Sequence, residues 1–232
     1  MSWFAVENID TIDSPALVIY KERVEENIRL LMGMVKHADQ LRPHVKTNKI
    51  AEVCRMMMIQ GIYKFKCATI AEAEMLAMIG AKDVLLAYQP VGPKAKRLLQ
   101  LVQQYPATKF SCITDDFGAA NYISEIFADK DLVLDVFIDL NVGMNRTGIR
   151  PLHALQLFEI FQSFNGIKVV GLHAYAQQEQ HEQAHAKNQN QCVEKQVVVQ
   201  THPNDSGKYH EEIEQTKVVT VLDCGDSEPV SD

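Results

Sequence analysis

The sequence predicts an α/β protein built as a TIM-like (β/α)8 barrel, incomplete at its C-terminal end. Three observations predict it. Short apolar runs alternate with longer amphipathic segments up to about residue 175. The repeating unit is one strand and one helix at a steady interval, the pattern of a mostly parallel sheet. After residue 175 the composition changes, leaving room for one more strand and almost nothing for an eighth helix. An open doubly wound sheet also fits the alternation. The even interval and the lack of a long insertion favour the barrel.

Each unit has its own signals. "PALVIY" (15–20) reads as the first strand, and the next segment carries Val24, Ile28, Leu31 and Val35 at helical spacing. "LRPHVK" (41–46) precedes "IAEVCRMMMIQG", where Gly61 is a helix stop. "KFKCAT" (64–69) precedes "IAEAEMLAMIG", and "DVLLAY" (83–88) precedes "GPKAKRLLQLVQQY". "KFSCIT" (109–114) precedes "DDFGAANYISEIFA", and "VLDVFIDL" (133–140) precedes "PLHALQLFEIFQSF". "IKVVGLHAY" (167–175) is the seventh strand. Residues 1–175 thus form seven βα units, and 176–232 a divergent Gln/Glu/His-rich segment, read as a solvated seventh helix or as disorder. "KQVVVQT" and "KVVTVLDCG" are candidates for strand eight. The second, Lys217 to Gly225, is preferred because it leaves room for the helix.

Composition narrows the function. The chain has 232 residues, 47% hydrophobic and 23% charged, with a formal net charge of −7. That balance disfavours nucleic acid or an anionic membrane as partner. No apolar run is long enough to span a bilayer, and "MSWFAVENIDTIDSP" lacks the form of a signal peptide. Cys54, Cys67, Cys112, Cys192 and Cys224 are scattered, odd in number and without a C-x-x-C. They read as reduced thiols of a cytoplasmic protein.

The chemistry sits on the strands. Barrel strands alternate between interior and helix layer. In "LRPHVK", Leu41, Pro43 and Val45 suit the apolar helix layer, so Arg42, His44 and Lys46 point inward. Lys46 stands at the C-terminal end of its strand, where barrel active sites are built. Gly171, His173 and Tyr175 share one face of strand seven, and Asp139 and Asn141 one face of strand six. These polar groups converge at one mouth. A desolvated interior amine is shifted toward its neutral form, which Schiff-base chemistry needs. The competing structural role for Lys46 is a rim charge, solvated or paired with Asp139.

These residues carry a resemblance. "LRPHVKTNK" (41–49) is similar to the cofactor-lysine motif of the fold-type III pyridoxal-phosphate (PLP) enzymes with an alanine-racemase-like N-terminal barrel. The branch it resembles most is that of D-threonine aldolase and D-serine dehydratase. "CATIAEAEML" (67–76), "DVLLAYQPVGP" (83–93), "NVGMNRTG" (141–148) and "GLHAY" (171–175) resemble family segments in family order, over residues 10 to 175. Asn48 stands where a histidine is common.

The resemblance implies the following site. Lys46 is the catalytic residue, holding PLP as an aldimine and then acting as a base. Arg146 hydrogen-bonds the phenolic oxygen of the cofactor. His173 and Tyr175 lie beside the pyridine ring. "CGDSEP" (224–229) resembles the phosphate turn, which makes Gly225 and Ser227 candidate phosphate contacts; a plain Gly-Asp-Ser turn is the alternative. The implied activity is aldol cleavage or dehydration of a D-amino acid bearing a β-hydroxyl, and a homodimer is the implied assembly.

The chain also departs from that pattern. Full-length relatives continue into a β-domain carrying divalent-metal ligands, and no such ligands are found in this sequence. After "GLHAY" the Asp-Gly-His-like continuation is replaced by "AQQEQHEQ". A natural short form, a fragment and a shifted reading frame all fit. A non-catalytic single-domain PLP-binding protein is the alternative function, and an inactive fragment the third. "HEQAH" (181–185) matches H-E-x-x-H, but its Gln-rich setting and the missing third ligand read as a solvated helix face. No metal site is expected.

Overall fold

The computed structural model describes residues 4–176, 193–200 and 217–221. The fold is α/β, a TIM-barrel-like sheet that does not close among the described residues. Its strands are β1 (Lys64–Cys67), β2 (Asp83–Leu86), β3 (Lys109–Thr114), β4 (Leu134–Leu140), β5 (Ile167–Ala176), β6 (Val193–Gln200) and β7 (Lys217–Val221). They neighbour one another in chain order, and β1 to β5 are parallel. The helices are α1 (Lys21–Gly33), α2 (Ala51–Ile59), α3 (Ile70–Met78), α4 (Pro93–Gln104), α5 (Phe117–Ala128) and α6 (Ala154–Phe161). None is long and apolar enough to cross a membrane among the described residues.

Alternation along the strands builds two cores. Phe65, Cys67, Val84, Leu86, Phe110, Cys112, Val136 and Ile138 pack against the helices in the main cluster. The intervening residues Leu85, Ile113 and Phe137 form a separate cluster on the opposite face, with Val170 against it. Buried Cys54, Cys67 and Cys112 are free thiols, and burial raises the pKa of each. Cys192 and Cys224 lie outside the described residues.

Three expectations change. Residues 15–20 form no strand, and Leu17, Val18 and Ile19 are exposed. β-branched and apolar side chains favour a strand only where a ladder and a buried face receive them. The second expected strand is reduced to one parallel bridge, His44 to Lys66. The Lys66 N–H donates to the Pro43 carbonyl and the Val45 N–H to the Lys66 carbonyl, each at 2.9 Å. Pro43 has no N–H of its own, and the chain turns at Thr47, so the ladder extends no further. Third, both C-terminal candidates are strands, but β6 runs antiparallel to β5 and β7 antiparallel to β6. The strand that adjoins β5 is therefore β6, and it is antiparallel rather than the parallel eighth strand of a closed barrel.

The short strand at 43–45 is tied down by charge. Arg42 is buried and its guanidinium grips both carboxylate oxygens of Asp83, at 2.6 and 2.9 Å. This bidentate pair links the strand to β2 across β1. Removing one partner leaves a buried charge uncompensated. Asp83→Ala is expected to cost about 3–5 kcal/mol in urea unfolding. A loss below about 1 kcal/mol, the level of an exposed pair, would contradict this role.

Candidate active site

The carboxyl ends of the strands bring one cluster together. Lys46 is half-buried just past the His44 bridge. A local turn fixes its backbone. The Lys46 N–H donates to His44 Nδ1 at 3.1 Å, and the Lys49 N–H to the Val45 carbonyl at 2.8 Å. Asn48 accepts from the Ile50 N–H at 3.2 Å and so helps to start α2.

Tyr175, near the end of β5, is the centre of the cluster. Lys46 Nζ lies 5.9 Å from its ring centroid, Lys66 Nζ 5.8 Å and the Arg146 Cζ 5.2 Å. All three fall within reach of a cation–π interaction. Arg146 is exposed, and its loop is closely held. Asn141 Oδ1 accepts from the Gly143 and Asn145 N–H groups, each at 3.1 Å. The Gly148 N–H donates to Asp115 Oδ2 at 2.6 Å. Ile149 pairs with the end of β4, its N–H donating to the Asp139 carbonyl at 2.9 Å. Gly148 has φ +95°, and an added Cβ would lie 2.5 Å from the Asn141 nitrogen, so only glycine fits.

Beneath the ring lies a buried polar chain. Lys66 Nζ is 2.8 Å from His173 Nε2, and His173 Nδ1 is 2.6 Å from Asp139 Oδ1. All three residues are buried. An ammonium only donates and a carboxylate only accepts. His173 therefore satisfies both neighbours as the neutral Nδ1–H tautomer. Burial is the main cause that lowers the His173 pKa; the hydrogen bond to Asp139 opposes it and the Lys66 charge adds to it. His44 Nδ1 is occupied as an acceptor, so its neutral form is the Nε2–H tautomer. Burial, reinforced by Lys66, Lys46 and His173, lowers its pKa to about 3.

A register shift puts His173 there. Val136 pairs with Val169 and Phe137 with Gly171, so Val170 is an extra residue in β5. Ile167 and Val169 belong to the helix-side core, whereas His173 stands opposite Asp139 and reaches Lys66. The bulge changes the parity of the strand and turns His173 and Tyr175 inward.

The structure thus brings Lys46, Arg146 and Tyr175 together, with His173 beneath them. Asp139 pairs with His173 and not with Lys46. Gly225, Ser227 and the "HEQAH" segment lie outside the described residues. Among the described residues no three His, Cys, Asp or Glu side chains group as a metal site. Lys66 is the residue that sequence reasoning missed. Its signal was available: Phe65 and Cys67 suit the helix layer, which turns Lys66 inward.

Comparison with known proteins matches residues 19–206 to the family described as alanine racemase, N-terminal domain. D-threonine aldolase of Arthrobacter sp. is 27% identical over 172 residues, 73% of this chain and 45% of that protein. D-threo-3-hydroxyaspartate dehydratase of Delftia sp. strain HT23 is 29% identical over 140 residues, 60% of this chain and 36% of that protein. The crystal structure of D-threonine aldolase from Filomicrobium marinum matches with a TM-score of 0.64 at 27% identity, covering 69% of this chain and 43% of that one. The chain spans less than half the length of these relatives.

The pKa of His44 sets a pH dependence. Its folded value, about 3, lies below the ordinary 6.5. Its contribution to stability is therefore full above about 6.5 and is lost as pH falls toward 3. Each pH unit within that window costs up to about 1.4 kcal/mol for one such group. Unfolding free energy measured from pH 7 to 4 is expected to fall less steeply in His44→Asn, by about one proton. Equal slopes in the two proteins would remove His44 from this account.

Proposed function

We propose that this chain, which belongs to the alanine racemase N-terminal domain family, holds PLP on Lys46 and serves a lyase-type reaction. The substrate class is a small D-amino acid with a β-hydroxyl, and the reaction aldol cleavage or dehydration. The observation that carries this reading is the half-buried Lys46 amine at the sheet's carboxyl end, grouped with Arg146 around the ring of Tyr175. The chemistry of the group fits: an amine for an aldehyde, a guanidinium for an anionic oxygen and an aromatic face for a flat ring. The printed names of relatives, D-threonine aldolase and D-threo-3-hydroxyaspartate dehydratase, support the substrate class.

PLP, when bound, supplies the electron sink for charge developing at Cα. The residues of the chain do the rest. Lys46 Nζ anchors the ligand and, once released, is the base that takes a proton. The Arg146 guanidinium donates hydrogen bonds to an anionic oxygen, from a loop whose shape Asn141, Gly148 and Asp115 maintain. Tyr175 covers the mouth between the cations. His44 stays neutral near Lys46 and adds no charge there. Gly225 and Ser227 remain the proposed phosphate contacts and the cytoplasm the proposed location. A homodimer is the proposed assembly, and the metal of full-length relatives is the proposed partner of the β-hydroxyl.

Purified protein given PLP is expected to develop a visible-edge absorbance band that Lys46→Ala abolishes. A band of equal size in the variant sinks the assignment of Lys46. Added D-threonine or D-serine with a divalent cation is expected to yield glycine and an aldehyde, or a keto acid. Binding without turnover would move the reading to a PLP-binding protein.

A further inference from the structure

Three neighbouring loops at the carboxyl end of the sheet are tied together through one side chain. The backbone ladder between β2 and β3 ends at Leu86 and Cys112, whereas the ladder between β3 and β4 runs on to Thr114 and Ile138. Past that point Gln89, half-buried in the loop before α4, makes the contact with its side chain. Its Oε1 accepts from the Thr114 hydroxyl at 2.6 Å and from the Asp115 N–H at 3.0 Å. A backbone N–H only donates, so the atom that faces Asp115 is the amide oxygen, and both of its lone pairs are engaged.

Asp115 passes the tie on. Its backbone is held by Gln89, and its Oδ2 accepts from the Gly148 N–H at 2.6 Å. Gly148 lies two residues after Arg146, where the loop that leaves β4 at Asn141 returns. Asn141 supports this loop from its own strand, by accepting from the Gly143 and Asn145 N–H groups. Asp115 supports it from the neighbouring strand. Gly148 sits against the backbone of Leu140 and Asn141, so the bond to its N–H is made at the point that fixes the return.

We propose that Gln89 is a positioning residue for Arg146, acting through Asp115. Gln89 holds the Asp115 backbone, Asp115 holds Gly148, and Gly148 sets the loop that brings the Arg146 guanidinium to 5.2 Å from the Tyr175 ring. Without the amide oxygen, the Asp115 N–H and the buried Thr114 hydroxyl lose their acceptor. The Asp115 carboxylate is then placed less tightly, and the Gly148 N–H opens more often. The arginine spends less time where it can donate to an anionic oxygen. Its value to a ligand rests on the proposed function. The tie between the loops does not, and it can be measured without ligand.

The first test is amide hydrogen exchange of the ligand-free full chain, read by NMR at Gly148 and compared with Ala73 in α3 as a measure of the whole fold. In Gln89→Leu, exchange at Gly148 is expected to rise roughly tenfold relative to Ala73. Gln89→Glu keeps an oxygen acceptor and should restore the wild-type rate. Asp115→Ala cuts the next link and should raise the rate at least as far. Adding Gln89→Leu to Asp115→Ala should then change nothing more at Gly148, because the two act in series. An unchanged rate in Gln89→Leu, no rescue by Gln89→Glu, or additive effects in the double variant overturns the proposal. The second test is a PLP titration followed by the visible-edge band. Gln89→Leu is expected to need roughly three- to tenfold more PLP for half of the full band, with Lys46 still the residue labelled after borohydride reduction. Equal half-saturation in Gln89→Leu and wild type overturns the role toward the ligand. If wild type develops no band, the proposed function fails and that role falls with it, while the exchange rates still decide the tie.

Discussion

The site depends on how one short piece of backbone hangs on the edge of a sheet. Residues 43–45 meet β1 through two hydrogen bonds, both to Lys66. Two hydrogen bonds have a modest net value, of order 1 kcal/mol each. They would not by themselves hold the segment that carries Lys46. The rest comes from side chains pointing both ways. Leu41 and Val45 are fully buried against the helices, and Arg42 is buried on the other side with Asp83. Lys46 is thereby set by three kinds of force at once, none of them located at Lys46. The same Lys66 whose backbone receives the strand sends its side chain to His173. One residue of β1 fixes both the anchor of the site and its floor.

The second constraint is parity. A strand face repeats every two residues, so one extra residue exchanges the faces. β5 uses this exchange. Its first half gives Ile167 and Val169 to the helix-side core, and after Val170 the odd-numbered positions become His173 and Tyr175, facing the interior. The cost is one unpaired position. Because of it, a strand that begins as ordinary core wall ends as the wall of a polar site. The tight approach of Gly148 to the end of β4 serves the neighbouring strand in a similar way, returning the Arg146 loop toward the ring.

This explains which parts were legible in the sequence. β1 to β5 were legible because each buries an apolar face against a helix, and burial leaves a periodic pattern. The inward set of residues 41–46 was legible for the same reason, from Leu41 and Val45. Residues 15–20 carry an equally good strand pattern, and still no ladder receives them among the described residues. Pairing is a relation between two segments, and composition of one segment does not reveal it. The direction of β6 was hidden likewise, since "KQVVVQT" suits a parallel or an antiparallel neighbour. Lys66 was legible by alternation, but lysines are mostly surface charges, and its buried contact with His173 comes from a distant strand. The inward placing of His173, which the sequence expects, is reached through the bulge, which "VVG" does not announce.

The electrostatics of the mouth follow from these placements. Two imidazoles lie near the lysines, and hydrogen bonding assigns them opposite tautomers: His44 accepts through Nδ1, and His173 donates through it. Both are kept neutral chiefly by burial. Neither adds positive charge to a region that already holds Lys46, Lys66 and Arg146. The buried Asp139 carboxylate meets His173, whose other ring nitrogen meets Lys66. The imidazole thus links a residue of β4 to one of β1 through the interior of the sheet. Lys46, Lys66 and Arg146 therefore group around one aromatic ring, each within cation–π reach of it. The ring carries no charge of its own, so it tolerates all three cations at close range while keeping them apart. The order Asp139, His173, Lys66 thus shapes what lies behind the ring together with the residues at the rim.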